Sequence, residues 1–431
     1  MNYQPADMQE FMKEAQYWAS SFSTFCIYNS NGFEDPYSAF SMMIVLGVKA
    51  SFKSDGANTY EKLQKFIDQN QGEYITGYIG YDLKNESEKL SDLESTHITD
   101  TKKHDAPNTF FFIPETLLIF RDENVEITSN DPKATLNSIL EHKNLEEDYL
   151  KPLFQGDIKE RMSREEYGIA FQKIKKHIMQ GDIYEVNLCQ EFYSENASLS
   201  PFQAYEQLNL LSPNPFSCFF KNDGHFIISA SPERFLAKRG TKLISQPIKG
   251  TFARGKTFQE DEINKLKLKN NPKDRNENIM IVDLVRNDLA KSAKRASVKV
   301  EELAKIYSFP QVHQLISTIT CQQEEGVTIS KVIENAFPPG SMTGAPKISA
   351  MRISDKTEKS ARGMYSGSIG YITPNQDFDF NVVIRSIIYS ECNNYLSYHV
   401  GGAITALSVE EEEYQECILK AKAITTLLKK S

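Results

Sequence analysis

The sequence predicts an α+β protein with antiparallel sheets. Strand-like runs come in groups, and helical segments lie in blocks between these groups instead of alternating with single strands. A strict β-α alternation would favour a parallel sheet, so the grouped order favours antiparallel pairing. Hydrophobic residues make up 40% and charged residues 25% of the 431 residues, which supplies enough apolar material for one large core or two fused ones.

The most clearly predicted helix begins at Ser163. Ser163-x-x-Glu166 matches a capping box, apolar residues then recur at helical spacing through Ile178, and Gly181 provides a stop. The same apolar period predicts helices after residue 273 and after residue 408.

A strand over residues 183–192 follows the Ser163 helix directly. Strand alternation divides its side chains into two faces. The face predicted to meet a core holds Tyr184, Val186 and Leu188, and the other holds Glu185, Asn187 and Cys189. Because this second face is polar, it is a candidate lining for a functional site.

Further strand-like runs, and two polar intervals, organise the rest of the chain. The runs are 74–81, 217–221, 225–229, 242–248, 366–372, 378–389 and 395–400. Residues 84–108 are polar and predict a long surface loop, and residues 121–159 form a second polar interval. We therefore divide the chain into an N-terminal part, 1–155, and a C-terminal part, 156–431, within one intertwined unit.

Charge and cysteine usage exclude several classes of protein. A formal net charge of −9 argues against nucleic acid or an anionic membrane as the main partner. The acidic N-terminus is neither a secretory signal nor a membrane span. Six scattered cysteines without a C-x-x-C pair fit reduced thiols better than disulfides or a zinc site. We expect a soluble, cytoplasmic protein.

Two pairs of carboxylates, each on one helix face, are candidate metal ligands. Asp274 and Glu277 lie at the start of one predicted helix, and Glu413 and Glu416 lie in the last helix of the chain. Capping and favourable interaction with the helix dipole explain such residues without any metal. Hard carboxylate oxygens are also what Mg²⁺ prefers. Spacing alone leaves both interpretations open.

Lys249, in the run QPIKGT, is a candidate nucleophile at the end of a predicted strand. Most lysines are simply solvated. To attack near neutral pH, its pKa must fall by roughly 3 units from about 10.4, through burial or a neighbouring cation. The glycine- and proline-rich turn 337–347, predicted to open a helix with Ser341 or Thr343 near its start, and Gly402 are weaker candidates for backbone contact with a ligand.

Eight segments occur in one order and resemble a known family. They are GDIYEVNLCQEF, SASPERFL, QPIKGTFAR, KDRNENIMIVDLVRNDL, FPPGSMTGAPK, RGMYSGSIGYI, DFNVVIRS and EEEEYQECILKAKA. Together they resemble the chorismate-utilising enzymes, a family that includes anthranilate, aminodeoxychorismate, isochorismate and salicylate synthases. The resemblance covers residues 163–431, and the N-terminal part resembles the family mainly through GYIGYDL.

The resemblance implies a fold, a substrate and a metal. The family fold is two large antiparallel β-sheets packed together and flanked by helices, with the site between them. Chorismate is the implied substrate and Mg²⁺ the implied cofactor. The implied metal ligands are Glu277 and Glu416, with Asp274 and Glu413 close by. The residues implied to contact chorismate are Thr343, Tyr365, Arg385 and the backbone at Gly402.

Lys249 favours the folate branch of the family. Members that make 4-amino-4-deoxychorismate, the precursor of p-aminobenzoate, carry PIKGT, whereas anthranilate synthases carry PIAGT. The resemblance implies that Lys249 attacks the ring and that Glu233 protonates the departing hydroxyl. No glutaminase elbow surrounds any cysteine, so we expect ammonia from a separate glutamine amidotransferase subunit or from solution.

Four positions depart from the family pattern, and two of them, Ala403 and Leu407, replace a glycine and an aspartate that the family usually carries. Glu185 stands where amidating members usually carry glutamine and where isochorismate synthases carry a lysine base. Gln314 stands where the family has histidine, and His313 is shifted by one residue, so the two side chains do not share a direction.

Two alternatives stay open. One is an anthranilate synthase large subunit, which Lys249 disfavours, and the other is a catalytically impaired homologue that binds chorismate, which Glu185 and Gln314 favour.

Overall fold

The computed structural model describes residues 1–88, 104–142, 152–310 and 312–429. Within these ranges the chain forms 24 strands and eleven α-helices. The strands are β1 (Asn2–Tyr3), β2 (Thr24–Asn29), β3 (Met42–Leu46), β4 (Ala50–Ser54), β5 (Ile75–Ile79), β6 (Thr109–Ile113), β7 (Thr116–Arg121), β8 (Asn124–Thr128), β9 (Phe154–Gln155), β10 (Lys159–Glu160), β11 (Glu185–Ser194), β12 (Ser198–Leu199), β13 (Phe216–Asn222), β14 (His225–Ser231), β15 (Arg234–Arg239), β16 (Lys242–Gln246), β17 (Ile248–Ala253), β18 (Lys299–Ser308), β19 (Val312–Gln322), β20 (Gly344–Ala345), β21 (Ser368–Ile372), β22 (Phe378–Asn381), β23 (Ser386–Ser390) and β24 (Tyr395–Thr405).

The helices are α1 (Met8–Ser20), α2 (Thr59–Gln69), α3 (Lys84–Ser87), α4 (Pro132–Glu141), α5 (Arg164–Gln180), α6 (Pro201–Leu211), α7 (Phe258–Asn270), α8 (Pro272–Ala290), α9 (Ile329–Ala336), α10 (Lys347–Asp355) and α11 (Glu410–Lys429). In the part of the chain that the structure describes, none of them is both long enough and apolar enough to cross a bilayer.

Two large antiparallel sheets form the centre of the molecule. The larger has twelve strands in the order β1-β8-β7-β3-β2-β13-β14-β23-β24-β11-β10, with β20 beside β11. The smaller has ten in the order β17-β19-β16-β15-β22-β21-β5-β6-β4, with β18 beside β19. Strands from both sides of residue 155 pair within each sheet, for example β2 with β13 and β5 with β21. The predicted α+β class with two antiparallel sheets is confirmed.

Each sheet buries one face against the other sheet and the opposite face against helices. Apolar residues of β2, β3 and β13 pack against those of β5, β6 and β21 between the sheets. Helices α1, α5, α6 and α11 cover the outer face of the larger sheet. Helices α2, α8 and α9 cover the smaller one. This four-layer order follows from the need of every sheet and helix to bury its apolar side.

Two predicted strands are each divided in the structure. The run 242–248 separates at Pro247 into β16 and β17, so Lys249 lies near the start of a strand instead of after its end. The run 378–389 separates into β22 of the smaller sheet and β23 of the larger. The chain changes sheets at Arg385, whose φ of +53° is rare for a residue with a side chain. Both halves are buried, so strand-like composition alone does not show that the chain passes from one sheet to the other.

The polar intervals contain more structure than predicted. Residues 84–87 form helix α3, and Lys84 is only 2% exposed because it pairs with Asp355 at 3.1 Å. The surface-loop prediction is therefore wrong there, and residues 89–103 lie outside the described ranges. The interval 121–159 contains β8 and α4, while residues 143–151 also lie outside the description. The division at residue 155 stays a prediction.

The Ser163 helix and the strand after it form as predicted, with one exception. Ser163 and Glu166 make a complete capping box, and Gly181 ends α5 with a φ of +82°. Glu185, Asn187 and Cys189 are buried on the face of β11 opposite Val186 and Leu188. Tyr184, predicted to face a core, is 67% exposed because it precedes the strand's pairing with β24.

A buried arginine holds β11 to the elements around it. The Arg362 guanidinium donates to the carbonyl oxygens of Met342 at 2.7 Å and Asn187 at 2.9 Å. It also pairs with Glu358, and its Cζ atom lies 4.5 Å from the centroid of the Tyr81 ring. One cation thus links the larger sheet, the turn before β20 and the segment that follows β5. Sequence reasoning missed Arg362 and Glu358, although both lie in or beside a recognised motif.

Replacing Arg362 by alanine should lower the free energy of unfolding by roughly 3–5 kcal/mol, because a buried carboxylate loses its arginine partner. Urea denaturation measures the change. Arg121→Ala, which removes an exposed ion pair with Glu126, is the control and should cost no more than about 1 kcal/mol. Equal costs for the two variants would contradict the importance given to the Arg362 network.

Candidate active site

An ion pair crosses from one sheet to the other at the centre of the candidate site. Lys249 on β17 of the smaller sheet donates through Nζ to Glu185 Oε1 on β11 of the larger sheet, at 2.8 Å. The lysine side chain is 11% exposed and the glutamate 1%. The structure therefore places Lys249 in a buried cleft and not in solvent.

The charge state of Lys249 differs from the prediction. Burial disfavours its ammonium form, but the carboxylates of Glu185 and Glu277, the hydrogen bond to Glu185 and the charge of Glu233 outweigh burial. The pKa of Lys249 is raised above its ordinary value, whereas the sequence argument required a fall. In this state the amine is protonated, and a reaction through it needs a group that accepts the proton.

Glu233 has the properties of a general acid. It lies directly before β15, is buried, and accepts a hydrogen bond from Ser341 Oγ at 2.6 Å. Burial raises the pKa of Glu233 to about 7, although Ser341 and Lys249 oppose the rise. A carboxyl group that is half protonated near neutral pH can donate a proton to a leaving group. The predicted turn does lead into a helix, α10, but Ser341 lies in a 3-10 turn over Gly340–Met342 and α10 begins only at Lys347, so neither Ser341 nor Thr343 belongs to its first turn.

The carboxylates at the start of α8 do not cap it. Asn271 is the capping residue and accepts from the backbone of Lys273 and Asp274. Burial raises the pKa of Asp274 to about 6 and that of Glu277 to about 8. Capping therefore does not explain Asp274 and Glu277. Burial disfavours the charged form of both groups, and the charge of Glu416 adds to the rise in the pKa of Asp274; perturbed carboxyl groups of this kind are common at functional sites.

The second carboxylate pair, on α11, faces the first. Lys273 forms ion pairs with Glu413 and, at 3.9 Å, with Glu277. Glu416 pairs with Lys420 at 2.8 Å, and that lysine is the main cause that lowers the pKa of Glu416 to about 2. Ser408, just before this helix, accepts a hydrogen bond through its hydroxyl from the backbone N–H of Thr405.

The donor atoms of these four carboxylates suit a hard cation. Glu277 Oε1 and Glu413 Oε2 are buried and have no hydrogen-bond partner in the described chain. Unsatisfied carboxylate oxygens are what Mg²⁺ coordinates. With Lys273 between the helices, no three acidic, histidine or cysteine side chains of the described ranges converge at ligand distance. The residues therefore fit a cation in type, and binding would require the Lys273 ammonium to move aside.

The predicted substrate contacts gather around the same cleft. Arg385 is half-buried, and none of the described side chains forms a hydrogen bond or ion pair with its guanidinium. Tyr365 is buried and stacks on His399 with ring centroids 5.1 Å apart. The backbone carbonyl of Thr343 accepts a hydrogen bond from the backbone N–H of Asn187 at 2.8 Å. Strand β24 brings Gly402 opposite Leu188. A lone arginine in a half-buried cleft favours an anionic ligand.

A glycine makes the close approach at Thr343 possible. Gly344 has a φ of +151°, and a Cβ atom there would lie 2.2 Å from the carbonyl oxygen of Glu185. Only glycine fits between β20 and β11 at this point. The glycine-rich turn therefore serves backbone packing beside the candidate nucleophile.

His313 and Gln314 point in different directions, as predicted. His313 is fully buried between Ser308 and Asp261, each 2.9 Å from a ring nitrogen. Gln314 lies opposite Thr251 on β17, two residues after Lys249, and its Oε1 has no partner among the described residues. His313 thus belongs to the packing of α7 and does not replace the family histidine. The remaining charged groups that sequence reasoning missed are Lys273 and Lys347, the latter paired with Asp288 at 3.0 Å.

Comparison with known proteins shows the family of this chain. The family model described as chorismate binding enzyme matches residues 23–426. The chain belongs to the chorismate-binding enzyme family. Aminodeoxychorismate synthase component 1 of Escherichia coli is 37% identical over 358 residues, which cover 82% of this chain and 76% of that protein. The chloroplastic aminodeoxychorismate synthase of Arabidopsis thaliana is also 37% identical, over 82% of this chain but 40% of its own length.

Solved structures of the family share the fold. Anthranilate synthase component I of Streptococcus pneumoniae superimposes with a TM-score of 0.75 at 24% identity and covers 91% of this chain and 93% of its own. The menaquinone-specific isochorismate synthase of Escherichia coli superimposes with a TM-score of 0.76 at 18% identity, and the match covers 99% of this chain and 94% of that one. At these identities the likeness establishes the fold alone.

The burial of Glu233 should make stability depend on pH. Because its pKa is raised from 4.5 to about 7 in the folded protein, the stability it contributes is present below pH 4.5 and lost as the pH rises toward 7. Relative to Glu233→Gln, the protein should lose about 3 kcal/mol across this window, at about 1.4 kcal/mol per pKa unit. Urea unfolding at closely spaced pH values measures this difference. The exposed control Glu165→Gln should show no such slope, and a flat difference for Glu233→Gln would refute the raised pKa.

Proposed function

We propose that this chain is an aminodeoxychorismate synthase large subunit, which converts chorismate and ammonia to 4-amino-4-deoxychorismate. The observation that carries the proposal is Lys249, which PIKGT places on β17 so that its amine lies in the buried cleft between the sheets. Relatives named aminodeoxychorismate synthase support the same branch. The product is the precursor of p-aminobenzoate and so of folate.

The proposed reaction has two substitutions at the ring. The neutral Lys249 amine forms a bond to C2 while the bond from C4 to its hydroxyl breaks. Glu233, buried with a pKa of about 7, gives its proton to the departing oxygen, which leaves as water. Ammonia then bonds to C4, the C2–lysine bond breaks, and the proton released by the new amine restores Glu233. The enzyme is regenerated, and chorismate has exchanged a hydroxyl for an amine.

Chorismate carries two carboxylates, and the cleft offers a cation for one of them. Arg385, with Tyr365 beside it and the backbone at Gly402, would hold the enolpyruvyl carboxylate. Thr343 would lie near the ring hydroxyl. Because β22 and β23 belong to different sheets, Arg385 sits where the two sheets meet. This position orients the ring toward Lys249, and orientation of that kind supplies much of an enzyme's rate.

Mg²⁺ is the proposed cofactor. Glu277 and Glu416 would hold it, with Asp274 and Glu413 as neighbouring or water-mediated ligands. When bound, the ion supplies positive charge for the ring carboxylate of chorismate. The raised pKa values of Asp274 and Glu277 support this assignment, since burial disfavours their bare negative charge and a bound cation would stabilise it.

Ammonia would come from a separate glutamine amidotransferase subunit or from solution, in the cytoplasm. Purified protein with chorismate, Mg²⁺ and ammonium tests the function, with the product identified by mass spectrometry. We expect 4-amino-4-deoxychorismate. Anthranilate would assign the chain to the tryptophan branch, and unchanged chorismate would support the impaired homologue.

Lys249→Ala should abolish most amination, by a factor of about 10² or more, because the amine acts on the transition state. Chorismate binding, measured by calorimetry, should persist. Lys256→Ala, which removes an exposed lysine seven residues further on, is the control and should keep full activity. Normal turnover by Lys249→Ala would show that the amine is not the nucleophile.

Glu277→Gln combined with Glu416→Gln should weaken Mg²⁺ binding at least about tenfold, since a ligand set loses two charged oxygens. Calorimetric titration of Mg²⁺ into the protein measures this without any need for turnover. The exposed Glu412→Gln on the same helix is the control. Equal Mg²⁺ affinity in all three proteins would place the metal elsewhere.

A further inference from the structure

Glu185 is the one ion-pair partner that Lys249 has among the described residues. Its Oε1 accepts from the amine at 2.8 Å, and its Oε2 is buried without any hydrogen-bond partner in the described ranges. A buried carboxylate with one unsatisfied oxygen is costly to keep in a protein core. The family position usually carries glutamine, which could hold the same amine without a charge. The carboxylate therefore calls for a role beyond holding the lysine in place.

The other charged groups around the amine do not reach it. The groups that act on Lys249 from the surrounding elements are Glu185 on β11, Glu277 on α8 and Glu233 before β15. Of these, only Glu185 lies within ion-pair distance. Glu233 is hydrogen-bonded to Ser341 and is assigned to the leaving hydroxyl. Among the described side chains, Glu185 is thus the one direct acceptor for a proton that leaves the amine.

We propose that Glu185 is the acid-base partner of Lys249, which takes the ammonium proton before attack and returns it after the lysine is expelled. This inference rests on the proposed function of Lys249 as nucleophile. It assigns a catalytic part to a residue that differs from the usual family pattern.

The proton balance closes over one turnover. The proton passes from Nζ to Glu185 Oε1, which leaves a neutral amine and a neutral carboxyl group. The amine bonds to C2, and water leaves from C4 with the proton of Glu233. When ammonia bonds to C4 and the C2–N bond breaks, the electron pair returns to Nζ and the new amine restores the Glu233 proton. Glu185 then returns its proton to Nζ, and the ion pair is regenerated.

Substrate binding provides the reason for the transfer. In the free protein the charged pair is partly wetted, with 11% of the lysine side chain exposed. Chorismate over the cleft would exclude that water, and loss of water disfavours both charged forms. The neutral pair, which needs only a proton shift along an existing hydrogen bond, becomes accessible without solvent. Burying the unpaired Oε2 of Glu185 then costs less free energy, because it belongs to a neutral carboxyl group and not to a carboxylate.

Glu185→Gln separates the acid-base role from positioning, because glutamine keeps the shape and can still accept from the amine. We expect unchanged chorismate affinity and at least about tenfold slower formation of the covalent Lys249 adduct, followed by mass spectrometry in a single turnover without ammonia. Glu185→Asp, which keeps a carboxylate on a shorter side chain, should restore part of the rate. Adduct formation at the normal rate in Glu185→Gln would overturn the proposal.

Glu191→Gln is the matched control, since Glu191 is a buried carboxylate on the same strand, paired at 2.8 Å with Arg161 and not with Lys249. It should leave the adduct rate unchanged. Thermal unfolding of each variant shows whether it is folded. If Glu185→Gln does not fold, infrared difference spectra of the unmodified protein decide the question. Adding chorismate should produce a newly protonated carboxyl signal that is missing in Lys249→Ala, and its absence would refute the transfer.

The two proposals fail in different ways. If the unmodified protein makes no 4-amino-4-deoxychorismate and forms no Lys249 adduct, the proposed function is wrong. If it makes both and Glu185→Gln forms the adduct equally fast, only the role of Glu185 is wrong.

Discussion

The ion pair between Lys249 and Glu185 is the interaction on which the site depends, because its two halves belong to different sheets. Each sheet is stabilised separately by strand pairing and by the helices on its outer face. At the cleft, however, the inner faces of β11 and β17 bring charged side chains together where a core would otherwise be apolar. Buried charges are tolerated only in pairs, so the relative position of the sheets and the charge balance of the cleft constrain each other.

Most of the other charged side chains around the site are also held in ion pairs. Arg362, Lys273 and Lys420 each neutralise carboxylates that would otherwise repel one another. Arg385 is different, since no described side chain pairs with it, and its backbone lies in the left-handed region where the chain changes sheets. A cation left without a partner at such a position is suited to an anionic substrate. The site thus keeps one positive group for an anionic ligand, while two of its carboxylate oxygens, Glu277 Oε1 and Glu413 Oε2, stay without a hydrogen-bond partner among the described residues.

Much of the fold could be predicted from local sequence signals. The capping box at Ser163, the stop at Gly181 and the alternation of β11 act over a few residues, so they survive in the structure. The division of 378–389 between two sheets could not be predicted, because both halves are buried and read as strand, and the sequence does not show which sheet each half joins. Lys84 was misjudged for a related reason, since its partner Asp355 is more than 250 residues away.

The site residues were identified from motifs, but their electrostatics required the structure. Spacing alone could not show whether Asp274 caps the helix or binds a ligand. The structure shows that Asn271 is the capping residue, so Asp274 is not. The pKa of Lys249 was expected to fall, and it rises because Glu185, a departure from the family pattern, comes from a strand 64 positions earlier. A charge contributed by another sheet leaves no trace in the local sequence.

A crystal structure of the protein with chorismate and Mg²⁺ would test directly whether Lys249 is the nucleophile. We expect the Lys249 amine about 3–3.5 Å from C2 of the ring, the separation at which a bond can form, with the substrate carboxylates held by Arg385 and the metal. A ring bound remote from Lys249, with that amine still paired only to Glu185 or turned to solvent, would contradict it.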